Sequence, residues 1–201
     1  LWAWGGFAAA LVCLLICSAY FAVNIRELLY RDATSNIIEI TEQGAGRLEE
    51  AIRGSFSTVR DHATCLSRAF AYGAEKGNAE LGDICRCPRQ SAFTDVRFVD
   101  MQGMGRDPDG HVPDVSEVPD FKAALSGKTL LSRPFVSSLQ KKPVVVFYCP
   151  VWRDGRVQGV LRAVKPADSL YDSFNASFYR GRGWSYVLDR DGAVLLDALR
   201  R

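Results

Sequence analysis

The sequence predicts an α+β protein in which a long helix, entered from an apolar leader, packs on a five-stranded antiparallel sheet. Three observations carry this. The first 23 residues hold no charge. A proline-free stretch follows with apolar residues at steps of three and four. From Phe93 onward the period drops toward two, with short turns between the runs. A sheet with one apolar face laid on a helix is an economical way to bury both.

The leader, "LWAWGGFAAALVCLLICSAYFAV" (1–23), is long enough to cross a hydrocarbon core about 30 Å thick. Trp2, Trp4 and Tyr20 stand toward its ends, where interfacial aromatics belong. A cleaved signal peptide has a shorter apolar region and a small-residue cleavage site. Residues 1–23 therefore read as a transmembrane helix. The first residue is Leu, so a preceding flank is expected to be missing and the charge rule for orientation has nothing to act on.

Residues 24–72 read as one continuous helix, about 70 Å long at 1.5 Å per residue. Ala45, Leu48, Ile52, Phe56, Val59, Ala63, Leu66 and Phe70 form a single stripe. The stripe predicts packing on the protein's own sheet, and part of the helix is expected to pair with a second copy in a homodimer. Gly44 and Gly46 mark an expected kink.

In "FTDVRFVD" the alternation puts Phe93, Asp95, Arg97 and Val99 on one side and Val96 and Phe98 on the other. "VPDFKAALSGK" reads as a short helix with Pro119 in its first turn and Gly127 just past its end. "TLLSRPFVSS", "PVVVFYCPVW" and "RVQGVLRAVK" are three strands, the last two joined by a tight turn at Arg153-Asp154-Gly155. "VVVFY" is apolar on both faces and should be central and covered on both sides. "PADSLYDSFNASFY" reads as a helix opened by Pro166. The final hairpin, Tyr186–Asp189 and Ala193–Leu196 about Arg190-Asp191-Gly192, is marginal by itself and reads as the start of a further sheet.

Composition excludes several classes. With 201 residues, 48% hydrophobic and 24% charged, the chain is that of a folded protein. A net charge of +2 without a Lys/Arg cluster gives no nucleic-acid partner. No phosphate-binding loop, H-E-x-x-H or G-x-S-x-G is present, and His62 and His111 are the two histidines. No enzyme activity and no cofactor are implied. Asp107, Asp109 and Asp114 lie in a polar turn that lacks the twelfth-position Glu of a calcium loop.

Of six cysteines, Cys13 and Cys17 fall in the leader as apolar filler. Cys65, Cys85, Cys87 and Cys149 fall beyond it and allow three readings. A bridge from Cys65 to Cys85 or Cys87 closes a loop worth about 3 kcal/mol. The four can instead remain thiols. Or His62, Cys65, Cys85 and Cys87, as H-x-x-C and C-x-C, can hold zinc.

The series "FVDMQGMGRDPDG", "DFKAALSGKTLLSRP", "PVVVFYCPVWRDGRVQGVLRAV" and "GWSYVLDRDGAVL", in that order behind an anchor and a long helix, resembles the double Cache sensor domain of bacterial membrane receptors. The family comprises inputs of diguanylate cyclases, histidine kinases and chemoreceptors. The resemblance implies a membrane-distal PAS-like module over 73–178 and the first hairpin of a truncated membrane-proximal one over 179–201. It further implies a location in the bacterial cell (inner) membrane with the long helix 24–72 extracytoplasmic, a small-molecule ligand, and an output domain, diguanylate cyclase being the expected one.

Amino-acid-sensing members carry an Arg-x-Trp-Tyr element before the middle strands and an acid after the last strand. Here "PDFKAALSGK" lacks that element, and Lys165 stands near where the acid would fall. Arg97, Arg133, Arg162 and Lys165 point to an acidic or neutral ligand, or are surface charges on alternate strand positions. The residues expected to line the pocket are Arg97, Phe121, Ser132, Arg133, Phe135, Tyr148 and Arg162, with Phe121 and Phe135 equally placed to be core. The competing reading is a membrane-tethered interaction or scaffold domain without a ligand.

Overall fold

The computed structural model describes residues 2–71, 93–105, 114–174, 185–188, 191–192 and 194–197. The chain divides into two units, Leu1–Gly44 and Ala45–Arg201. One helix, α1 (Trp2–Ala71), contributes to both and stays helical through Gly44 and Gly46.

In the first unit α1 is long and apolar enough to cross a membrane by length and composition. Its large apolar side chains, among them Leu14, Leu15, Ile16 and Phe21, are exposed. The exposed apolar series continues past the uncharged leader at Ile25, Leu28, Leu29, Ile37 and Ile38.

The second unit is built on a sheet of β1 (Asp95–Asp100), β2 (Leu130–Leu131), β3 (Phe135–Val136), β4 (Pro143–Arg153) and β5 (Arg156–Pro166). All pairings are antiparallel, in the order β1-β5-β4-β2, with β3 also on β4. The continuously apolar β4 is central and buried from Val144 to Val151. Its turn into β5 puts Asp154 and Gly155 at positive φ (50° and 73°), the geometry that an Asp-Gly pair supplies.

The two faces of the sheet have separate cores. On one, Phe98, Val145, Phe147, Cys149, Val151, Leu161 and Ala163 meet Leu48, Ile52, Phe56, Val59, Ala63, Leu66 and Phe70 of α1. Phe147 is the centre of this core, its ring 4.9 Å from Phe56 and 5.6 Å from Phe93. Helix α3 (Asp168–Phe174) adds Leu170, Tyr171 and Phe174, and the hairpin β6 (Tyr186–Leu188) and β7 (Val194–Asp197) adds Val187, Leu195 and Leu196. On the other face, Val99, Val144, Val146, Tyr148, Val160 and Val164 are covered by Phe121 and Ala124 of α2 (Pro119–Leu125). Pro119 opens α2, and Gly127, at φ +93°, follows its end with its N–H on Ala124 O.

Several local expectations are corrected. Phe93 lies with Val96 and Phe98 on the helix side, because β1 begins only at Asp95 and strand alternation does not reach back to it. "TLLSRPFVSS" is two short strands, split at Ser132-Arg133-Pro134. Pro134 has no N–H to continue a ladder. Ser132 takes up the slack: its N–H donates to Val146 O (2.8 Å) and its Oγ accepts the Val146 N–H (2.9 Å). Pro166 closes β5 instead of opening a helix, and its carbonyl accepts the Ser169 hydroxyl at 2.7 Å. Ala45 is exposed, so the helix stripe that meets the sheet starts at Leu48.

Candidate functional site

Alternation along β1, β4 and β5 decides which polar side chains share the α2 face. Arg97 stands opposite Arg162, and Arg162 opposite Tyr148, so these three form a row across three adjacent strands. Asp95 lies two residues before Arg97, on the same face. Arg97 Nε donates to Asp95 Oδ1 at 2.8 Å, and Arg162 Nη1 stands 3.6 Å from Asp95 Oδ2. The cluster is sheltered: the side chains of Arg162 and Asp95 are 15% and 24% exposed. Charge pairs in such surroundings are screened less than surface pairs.

Tyr148 is buried, and burial pushes its hydroxyl above the ordinary tyrosine value; the charge of Arg162 and a hydrogen bond with it pull the other way, and the Asp120 carboxylate pushes it up further. The phenol therefore remains protonated through the neutral range and can donate. Asp120 comes from the first turn of α2, which sets it near the Tyr148 end of the row. Among the described residues no acceptor meets the buried Nε of Arg162. A buried, unmatched donor is costly, and it is most costly on a charged group.

The other expected pocket residues are placed differently. Phe121 is fully buried on α2, in the core that this helix makes with the same sheet face. Ser132 is buried and engaged in holding β2 to β4. Arg133 has a side chain 71% exposed, 3.6 Å from Asp191 of the hairpin turn. Phe135 is 44% exposed on β3. The structure thus brings together Arg97, Tyr148 and Arg162, with Phe121 of α2 in the same core as Tyr148, and sets Ser132, Arg133 and Phe135 apart from the charged row. Asp95 and Asp120 are the members of the cluster that the sequence did not single out. Asp95 was visible as the same-face neighbour of Arg97; Asp120 needed the docking of α2, which no local pattern gives.

Lys165 is corrected outright. It pairs with Val145 and points to the α1 face, away from Arg162. There it is 7% exposed, its Nζ donates to Ser55 Oγ at 3.0 Å, and it lies 5.8 Å from the centroid of the Phe93 ring. Ser55 in turn donates to Ala51 O at 2.7 Å. Burial holds the Lys165 ammonium below the ordinary lysine value. The unfolded chain therefore binds this proton more tightly, and stability rises with pH through the interval from the folded value up to the ordinary one. Lys165→Met, which keeps the length and removes the charge, is expected to be more stable than the parent at neutral pH. The difference in urea midpoint should shrink as the pH climbs toward the ordinary lysine value; a constant difference would contradict a buried charged lysine.

A cavity of about 230 Å³ on the α1 side is lined by Arg60, Ser67, Thr129, Cys149 and Trp152, among others. Burial raises the Cys149 thiol above its usual value, so it is a protonated packing group there. Cys65 is exposed on α1, and His62 lies one turn before it. Cys85 and Cys87, and with them the disulfide and zinc readings, lie outside the described residues, as do Asp107 and Asp109. Asp114 Oδ1 accepts the Ser116 N–H at 2.8 Å, which lowers its carboxyl below the ordinary value.

No protein-family model matches the sequence, and no curated protein matches it. Solved structures do. The ligand-binding domain of the Campylobacter jejuni chemoreceptor Tlp3, in complex with 4-methylisoleucine, aligns with a TM-score of 0.68 at 15% identity, over 84% of this chain and 71% of that one. The ligand-binding domain of the Pseudomonas aeruginosa PAO1 amino acid chemoreceptor PctC, in complex with GABA, gives 0.63 at 21% identity, over 79% and 74%. That of the Pseudomonas fluorescens chemoreceptor CtaA, in complex with L-serine, gives 0.63 at 19% identity, over 83% and 72%. The fold is that of the Cache-type, PAS-like sensor domains.

Proposed function

We propose that the chain is the extracytoplasmic, small-molecule-sensing input region of a bacterial transmembrane signalling receptor. The observation that carries this is the sheltered Arg97–Arg162–Tyr148 row with Asp95, set under α2 on the sheet face opposite α1. A charged cluster in that position is poor packing and good recognition. Its occurrence in a fold shared with chemoreceptor ligand-binding domains supports the sensor reading.

The leader, residues 1–23, holds the chain in the cell membrane in this reading, with residues 24–72 and the distal module 73–178 outside. The exposed apolar series of α1 beyond the leader supports a homodimer through this helix. The receptor's output is a diguanylate cyclase on the family resemblance alone. Ligand acts by binding two arrangements of the sheet and α1 with unequal affinity, since a ligand with equal affinity for both shifts nothing.

The test is a thermal-shift screen of the full chain in lipid nanodiscs against metabolites of every charge class. One class is expected to raise the midpoint in a concentration-dependent way. No stabilisation by any class, together with capture of a protein partner by the α2 face, would favour the tethered scaffold instead.

A further inference from the structure

We propose that the ligand of this site is recognised through a carboxylate seated against Arg162, and that an ammonium group on the ligand is not required. The inference rests on the sensor reading and adds the chemical class. Arg162 is at the centre of the row, flanked by Arg97 on β1 and Tyr148 on β4. Its side chain is mostly buried, and its Nε meets no acceptor among the described residues. The Asp95 carboxylate sits closer to Arg97, at 2.8 Å, than to Arg162, at 3.6 Å. The edge of a guanidinium matches the two oxygens of a carboxylate, with two parallel N–H donors in one plane. The Tyr148 hydroxyl, protonated in its buried setting, supplies a further donor beside that edge.

The same geometry argues against a required ammonium. Asp95, the acid at the centre of the face, already bridges two guanidiniums, and an incoming ammonium would stand beside both of them. Asp120 lies at the Tyr148 end, where its charge acts on the phenol. A cation placed near Arg162 therefore meets like charge first, which is a penalty built into the site.

The experiment titrates the full chain in nanodiscs with straight-chain mono- and dicarboxylates of two to six carbons. Each amino acid probe is paired with its counterpart lacking nitrogen: L-serine with 3-hydroxypropanoate, GABA with butyrate. Butylamine and 1-butanol serve as the cationic and neutral controls. Members of the carboxylate series are expected to raise the midpoint, with 3-hydroxypropanoate and butyrate at least equal to L-serine and GABA, and the two controls inert. Arg162→Met is expected to weaken the best carboxylate tenfold or more, as for loss of a charged hydrogen-bonding group. Arg162→Lys, which keeps the charge without the planar edge, should fall between; each variant's unliganded melting curve reports whether it has folded. Binding confined to the ammonium-bearing partners, no response to any carboxylate, or full affinity in a folded Arg162→Met would each overturn the proposal. A broad screen that finds only uncharged or cationic ligands removes this inference and leaves the sensor reading standing; a screen that finds none removes both.

Discussion

Phe147→Ala is expected to destabilise the sheet-bearing unit by about 3–5 kcal/mol, the usual range for emptying a large buried aromatic site. Phe147 is fully buried on central β4 and is the ring that both Phe56 of α1 and Phe93 approach edge-on. Truncation removes its own contacts and two aromatic pairs, each worth about 0.5–1.5 kcal/mol beyond area. The cavity borders backbone of β4 and β5, which hydrogen bonding prevents from collapsing inward. Domains of this kind are stable by only about 5–15 kcal/mol, so the variant should lose much of its margin. Its melting midpoint in nanodiscs should fall by about 10 °C or more. Phe147→Leu, which fills most of the volume, should recover over half of the loss. An alanine variant that melts with the parent would mean that α1 does not pack on this face.

Gly159→Ala is expected to cost about 3 kcal/mol, the upper part of the range for overpacking. The reason is the close approach of β1 to β5. A Cβ at position 159 would stand 2.4 Å from Val99 O and 2.5 Å from the Phe98 ring. The first obstacle is backbone held in the β1–β5 ladder, so a rotamer change cannot relieve it. Strand β1 has to move, and Arg97 and Asp95 move with it. A second consequence follows for function: ligand affinity should fall even where the variant remains folded, because the row across the strands loses its register. Parallel melting and titration curves read both effects. Parent-like stability would contradict the observed spacing of the two strands.

Much of the fold was legible because local and global preferences agree. The run Val144–Tyr148 admits no solvent-facing side, and β4 is accordingly central. Asp154-Gly155 takes the left-handed geometry that the pair favours. Leu48, Ile52, Phe56, Val59, Ala63, Leu66 and Phe70 meet the sheet as their spacing requires.

The misreadings come from places where a pattern of period two had no polar partner to anchor it. In β5, apolar residues occupy both faces, so nothing local told which side Lys165 would join; the pairing with Val145 settles that. The split of the 129–138 run depends on Ser132 replacing a backbone group in its contact with Val146, a tertiary event. For the site, Arg97, Arg162 and Tyr148 were visible as polar positions on strands. Their meeting in one row needed the register of three strands, and Asp120 needed the docking of α2 as well.

In the proposed sensor, ligand is bound on the α2 face of the sheet while α1 occupies the other. Two alternate-face residues of a single strand, Arg162 and Lys165, separate these directly. Isothermal titration of the screen's best ligand into the full chain and into Arg162→Met and Lys165→Met should show affinity lost in the first variant and kept in the second. Affinity kept in Arg162→Met and lost in Lys165→Met would place the ligand on the α1 face and contradict the account.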